Sequence, residues 1–383
     1  MTEILVEQID YTIKETTSIL LKLNEVYHSN LHFDMEKLPF NPLTEKIPIT
    51  IDGLYVNNSY INKALCKLTH KTNVILYLNS NIKIFIHFYH NKDYDLIIKS
   101  IKRIYSMIKV FSSNEHLSKY DNAKFYIVLY EAPRIISARY QDTTEEINII
   151  GENHYFNCTC GYAENGNVFK ICVTRKNGCL GLLVHELGHI CALDLSSWNK
   201  GEYNFPVNRL SGWKHIVRKL LDTSSKCRLG NMSEGINNGN SSILHAMFLA
   251  IENTSDPKIT MNKELIEKYK STYTKEFYYS IYQTVKLLRW YGYKSITDLT
   301  TRIQRKYTQK SMMLEYILIR CIYLMNFDQL DLFTNKLQQQ DDAEYIMTFM
   351  SRLFETYDII DNYMQGIKQP NKKEIVNMEY FYA

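Results

Sequence analysis

Near the start of the chain, apolar residues recur at Ile9, Ile13, Leu20, Leu23 and Val26, close to a 3.6-residue period, and predict a helix over about 2–27. Pro39, Pro42 and Pro48 follow and predict an extended connection, so residues 1–70 read as a helical and extended appendage. The pattern then shortens: apolar runs at 74–78 and 82–89, separated by Asn79-Ser80-Asn81, predict a β-hairpin. Ile97, Ile101, Ile104, Ile108 and Phe111, at spacings of four, three, four and three, predict an amphipathic helix over about 95–112 that packs on a sheet. Two further short runs, 125–130 and 168–174, have the continuous apolar character of buried strands.

Between Leu180 and Leu193 only Glu186 carries a charge, which predicts a buried helix over about 179–194. From about Asn262 helix-compatible sequence dominates, with breaks expected at 295–300 and 326–328. No internal repeat or long low-complexity tract is present. The expected fold class is α+β, with a central domain over 71–260 between the appendage and a helical C-terminal lobe over 261–383.

Composition changes this picture little. A chain of 383 residues with 45% hydrophobic and 22% charged residues can bury a full core. A net charge of +4 without a long basic block argues against nucleic acid as a partner. Neither a signal-peptide pattern nor an apolar run of membrane-spanning length occurs, so no membrane partner is expected. The eight cysteines lack a repeating C-x-x-C spacing and read as reduced core thiols, which fits an intracellular, cytoplasmic protein. Abundant Asn, Ile, Lys and Tyr, with 30 Tyr, fit an AT-rich genome such as those of large DNA viruses or some protists.

The chemistry lies in His185-Glu186-Leu187-Gly188-His189. On a helix, residues i and i+4 are about 40° apart around the axis and about 6 Å along it, so both imidazoles can bind one Zn²⁺. Glu186 stands beside them as the candidate general base, taking a proton from a water as it attacks a carbonyl carbon. A catalytic zinc takes a third protein ligand. The metzincin continuation is missing, since Ala192 stands where its Gly belongs and Leu195 where its last ligand belongs. Asp194, Glu202, Glu234 and Glu252 are the acidic candidates.

The HELGH segment, followed by Glu234-Gly235-Ile236-Asn237-Asn238, resembles the gluzincin metallopeptidases, distantly of the neprilysin and thermolysin type. The resemblance spans two short segments and the order of elements over about residues 95–255. It implies a zincin-like core holding one Zn²⁺ per chain on His185, His189 and Glu234. Asn238 falls where that family has an Asp that orients a ligand imidazole, and Asn raises ligand basicity less than a carboxylate. The strand before the zinc helix, with Phe169, Ile171 and Val173, is expected to pair with a peptide or protein substrate.

The oxyanion needs a donor, and His245 is the candidate, with His215, Tyr203 and Arg209 as alternatives. Cys158-Thr159-Cys160 is not a natural chelate, because i and i+2 on a strand point to opposite faces. The expected function is therefore zinc-dependent hydrolysis of peptide bonds. The alternative is a protein of zincin fold that serves a structural or interaction role without turnover.

Overall fold

Two strands with strict alternation begin the sheet. β2 (His70–Tyr77) and β3 (Asn81–Phe88) pair antiparallel with Val74 opposite Ile84 and Leu76 opposite Ile82. Thr72, Val74 and Leu76 on one strand and Ile82, Ile84 and Ile86 on the other are buried on the same face, as a period of two requires. β1 (Phe33–Pro39) pairs antiparallel with β2, while β4 (Lys124–Leu129) joins β3 in parallel. The crossover between those parallel strands carries α2 (Tyr94–Phe111). The computed structural model describes residues 2–41, 43–45, 69–77, 81–88, 94–111, 124–129, 138–139, 146–147, 160–162, 168–171, 179–191, 193, 232–254, 262–290, 292–295, 308–309, 315–330, 342–366 and 368.

Beyond β4 lie β8 (Val168–Ile171), parallel to it, and β7 (Cys160–Tyr162), antiparallel to β8, giving a mixed six-stranded sheet in the order β1-β2-β3-β4-β8-β7. β5 (Ala138–Arg139), β6 (Glu146–Ile147) and β9 (Thr308–Gln309) form a small antiparallel sheet in the order β6-β5-β9. The fold is α+β, as its sequence pattern predicts. The apolar stripe of α2, Ile97, Ile101, Ile104 and Ile108, is fully buried in one core with the inner face of the sheet.

Helices make up the rest. α1 (Thr2–His28) buries Leu5, Ile9, Leu20, Leu23 and Tyr27, while α3 (Cys179–Ile190) packs on β7, β8 and α2. α4 (Met232–Glu252) is a central helix, packed by α1, α3, α5 (Asn262–Trp290) and a π-helical turn (Glu315–Ile319) that runs into α6 (Arg320–Met325). α7 (Phe327–Leu330) follows after a break at Asn326, within the predicted 326–328, and α8 (Asp342–Gly366) packs on α5, α6 and α7. Of the other expected break, at 295–300, Ser295 is described and lies in a bend after α5, and residues 296–300 lie outside the described residues. Among the described residues no helix is long and apolar enough to cross a membrane.

One expectation needs correction. α1 is not an appendage: it packs on α2, α4 and α5, and its Thr16 hydroxyl lies 2.8 Å from the phenol of Tyr269 on α5. Its buried stripe has no core of its own, so the helix is stable only where other elements cover it. Tyr269, Tyr273, Phe277, Ile281 and Val285, spaced by four, form the matching buried face of α5.

Candidate functional site

The helix carrying His185-Glu186-Leu187-Gly188-His189 is α3, and its middle is sealed: Leu183, Val184, His185, Glu186 and Leu187 are all buried. His185 and Glu186 are each 5% exposed, so both polar side chains sit inside the protein, a placement that burial alone disfavours. Past Ile190 the chain turns back, with Cys191 N donating to Leu187 O and Leu193 N to Gly188 O, the i to i−5 bond that closes a helix C-terminus.

α4 lies against this helix through side chains that are small or polar. Asn237 donates from Nδ2 to the carbonyl of His185 at 2.8 Å, and its amide occupies the space beside Gly188, where a Cβ would stand 2.1 Å from Asn237 Oδ1. Glycine is required there by close approach, not by backbone conformation. His245, two turns further along α4, lays its ring beside Gly181. Contacts of residue 245 with 181 and of residue 237 with 185 and 188 mean that α4 crosses α3 antiparallel. Positions 181, 185, 188 and 189 share one stripe of α3, and positions 234, 237, 238, 241 and 245 share one stripe of α4. The first turn of α4, with position 234, continues toward the last turn of α3, with position 189.

The side chains of His189 and Glu234 lie outside the described residues, as do Asp194, Glu202, Tyr203, Arg209 and His215. Among the described residues no group of three His, Cys, Asp or Glu side chains is placed to hold a metal ion. The donor set of the described part suits zinc: a buried imidazole at position i on a helix whose position i+4 is also histidine. Asn238 is buried on the α4 stripe, and its backbone carbonyl accepts from Ser242 Oγ at 3.0 Å.

A second polar cluster lies at the other end of the α3–α4 contact. Arg103, from α2, is completely buried. It donates from Nε and Nη2 to the two carboxylate oxygens of Glu252 at 2.8 and 2.9 Å, and from Nη1 to Leu180 O at 3.1 Å and to His245 Nδ1 at 2.9 Å. Its guanidinium carbon stands 5.0 Å from the ring centre of Phe248, and Tyr27 OH donates to Glu252 Oε1 at 3.2 Å. Because guanidinium only donates, His245 Nδ1 accepts and the imidazole carries its proton on Nε2. Burial, reinforced by the charge of Arg103, holds the His245 pKa well below the usual histidine value, so the ring is neutral. Burial and the Glu252 carboxylate push the Tyr27 phenol up.

Two expectations are corrected by this geometry. Glu252, held in reserve as a zinc ligand, spends both carboxylate oxygens on Arg103 at the far end of α4. His245 accepts from Arg103 at Nδ1 and lays its ring beside Gly181 in the first turn of α3. β8 is an internal strand: Phe169, Lys170 and Ile171 pair with β4 on one side and β7 on the other, so Phe169 and Ile171 present no open edge, and Val173 lies outside the described residues.

Arg103, Asn237 and Asn240 are the contributors that periodicity does not flag. Asn240 bridges the site to the C-terminal helices, donating from Nδ2 to Leu193 O at 2.8 Å and accepting from Tyr323 OH at 2.7 Å. Gly239 permits this, since a Cβ there would meet the Tyr323 ring at 2.4 Å. The only sequence signal is a run of Asn, Ser and Gly in a helix with apolar residues on all sides, which marks close, hydrogen-bonded helix packing.

The Gly188 contact has a direct consequence. Gly188→Ala is expected to lower stability by about 1–3 kcal/mol, because the new methyl group must displace an amide already bonded to the His185 carbonyl. Adding Asn237→Ala opens that space, so the double variant should lose less than the two single losses combined, as read from urea unfolding midpoints. Additive losses would show that the two residues are not in contact.

No family model, curated protein or solved structure matches this chain.

Proposed function

We propose that the chain is a zinc-dependent peptidase with a zincin-like core, in which His185, His189 and Glu234 hold the metal and Glu186 is the general base. The observation that carries this reading is the α3–α4 packing: a buried His-Glu pair sits on a helix whose histidine-bearing stripe borders the stripe of α4 that includes position 234. Zinc held there would supply Lewis acidity toward a peptide carbonyl and a water.

The chain's own groups would do the rest. Asn237, bonded to the His185 carbonyl, holds that turn of α3 against α4 and so limits the freedom of the His185 imidazole. Glu186 is buried next to it and takes the proton of the attacking water, then returns it to the departing amine. An extended peptide would pair with β7, which ends the six-stranded sheet among the described strands and packs on α3. This moves the substrate strand from β8 to its neighbour.

The test is metal content by elemental analysis after purification without chelators, on the wild type, His189→Ala and Glu234→Ala, with circular dichroism as the fold check. About one zinc per wild-type chain, lost from both folded variants, is the expected result. Loss only in His189→Ala would move the third ligand to Asp194 or Glu202. A folded wild type that takes up no zinc would remove the peptidase reading altogether.

A further inference from the structure

We propose that Arg103 is a positioning residue that sets the rotation and seating of α3 on α4, and through them the metal-binding stripe. The proposal rests on the peptidase reading for the metal, though not for the clamp itself. α3 is held against α4 at two levels. At the level of His185 the tie is Asn237, and at the first turn it is Arg103, which reaches Leu180 O directly and Gly181 through the His245 ring. A rod tied at two points cannot rotate about its axis without breaking one of them. The span between Leu180 and His185 is little more than one helical turn, so an error at the clamp reaches the first candidate ligand almost undiminished.

The electrostatics indicate that geometry, more than stability, is what the cluster supplies. Glu252 is the last residue of α4, where the negative end of the helix dipole disfavours a carboxylate. Arg103 approaches the first turn of α3, where the positive end disfavours a cation. Both charges are buried, and a buried ion pair is often no more stabilising than apolar residues of similar size. Apolar residues, however, cannot bond a chosen carbonyl and a chosen imidazole nitrogen at once. The planar fork does so with fixed angles, which the single ammonium of lysine cannot reproduce. Tyr27 on the carboxylate and Phe248 beneath the guanidinium hold the fork itself.

The decisive variant is the pair Arg103→Met with Glu252→Leu in the full chain, which removes both charges together and leaves neither one stranded. Three readouts are needed: circular dichroism, amide hydrogen exchange of the α3 segment in metal-free protein, and titration with Co²⁺ followed by its d–d absorption. The folded double variant should exchange its α3 amides about tenfold faster, bind Co²⁺ about tenfold more weakly or worse, and show an altered d–d band. Arg103→Lys should move all three in the same direction, while Tyr269→Phe, which removes the α1–α5 hydroxyl contact, should move none of the α3 readouts.

Wild-type exchange, affinity and spectrum in the folded double variant would overturn the proposal, because the pair would then be replaceable packing. Should the double variant fail to fold, Arg103→Lys is read in the same assays, and wild-type behaviour there overturns it equally. If the wild type takes up no Co²⁺ the metal reading fails. The clamp is then judged on α3 exchange alone, supported by acceleration and overturned by its absence.

Discussion

Glu186→Gln is expected to lower the rate of peptide hydrolysis by about 10²–10⁴-fold while leaving the fold and the zinc content unchanged. The substitution keeps the size and planarity of a side chain that is 5% exposed, so the packing of α3 on α4 has no reason to change. What disappears is the capacity to take a proton from the attacking water. The measurement is kcat/KM on a quenched peptide library alongside metal content for both proteins. A variant within a few-fold of wild type would place the base elsewhere. A wild type that binds zinc stoichiometrically and cleaves nothing would favour the non-catalytic reading, in which the same site serves binding or structure.

Arg103→Met alone is expected to reduce stability by about 3–5 kcal/mol, most of it from the Glu252 carboxylate left buried without its guanidinium. The loss is large because Arg103 ties α2 to both α3 and α4, and the neutral Tyr27 hydroxyl on Glu252 cannot replace the guanidinium's charge. Glu252→Leu alone should cost a similar amount for the converse reason, a buried cation without its carboxylate. The double variant should recover most of both losses, so that its own loss falls well below the sum of the two single losses in a urea-unfolding cycle. A double-variant loss equal to the sum of the two single losses would mean that Arg103 and Glu252 contribute independently and not as a charge pair.

Much of the scaffold is legible from short-range pattern. The four isoleucines of α2 mark a helix because residues four and three apart share one face whatever the helix meets. The hairpin at 70–88 follows from its two apolar runs, and its register puts Val74 opposite Ile84 and Leu76 opposite Ile82. Burial of α3 is equally readable, since a segment with one charge in fourteen positions has nothing to offer water. The candidate chemistry belongs to this class too, because the spacing of His185 and His189 brings two imidazole positions onto one stripe in any helix.

Other features depend on partners that no local window contains. Arg103 stands in sequence between Lys102 and Ile104, and nothing local marks it. It is buried only because elements 77, 142 and 149 residues away supply Leu180, His245 and Glu252. The same reach explains Glu252, whose residue type suits zinc chemistry but whose two carboxylate oxygens are both taken by Arg103. An apolar run such as 168–171 announces a buried strand but not its place in the sheet, and among the described strands the edge is β7, a strand of three residues with no strong pattern of its own. Sequence by itself determined the helices, the hairpin and the HELGH stripe, because these depend on spacing along one element. Only the tertiary structure decided which polar groups hold that stripe in place and which strand ends the sheet, because a side chain's role there is set by whichever distant surface covers it.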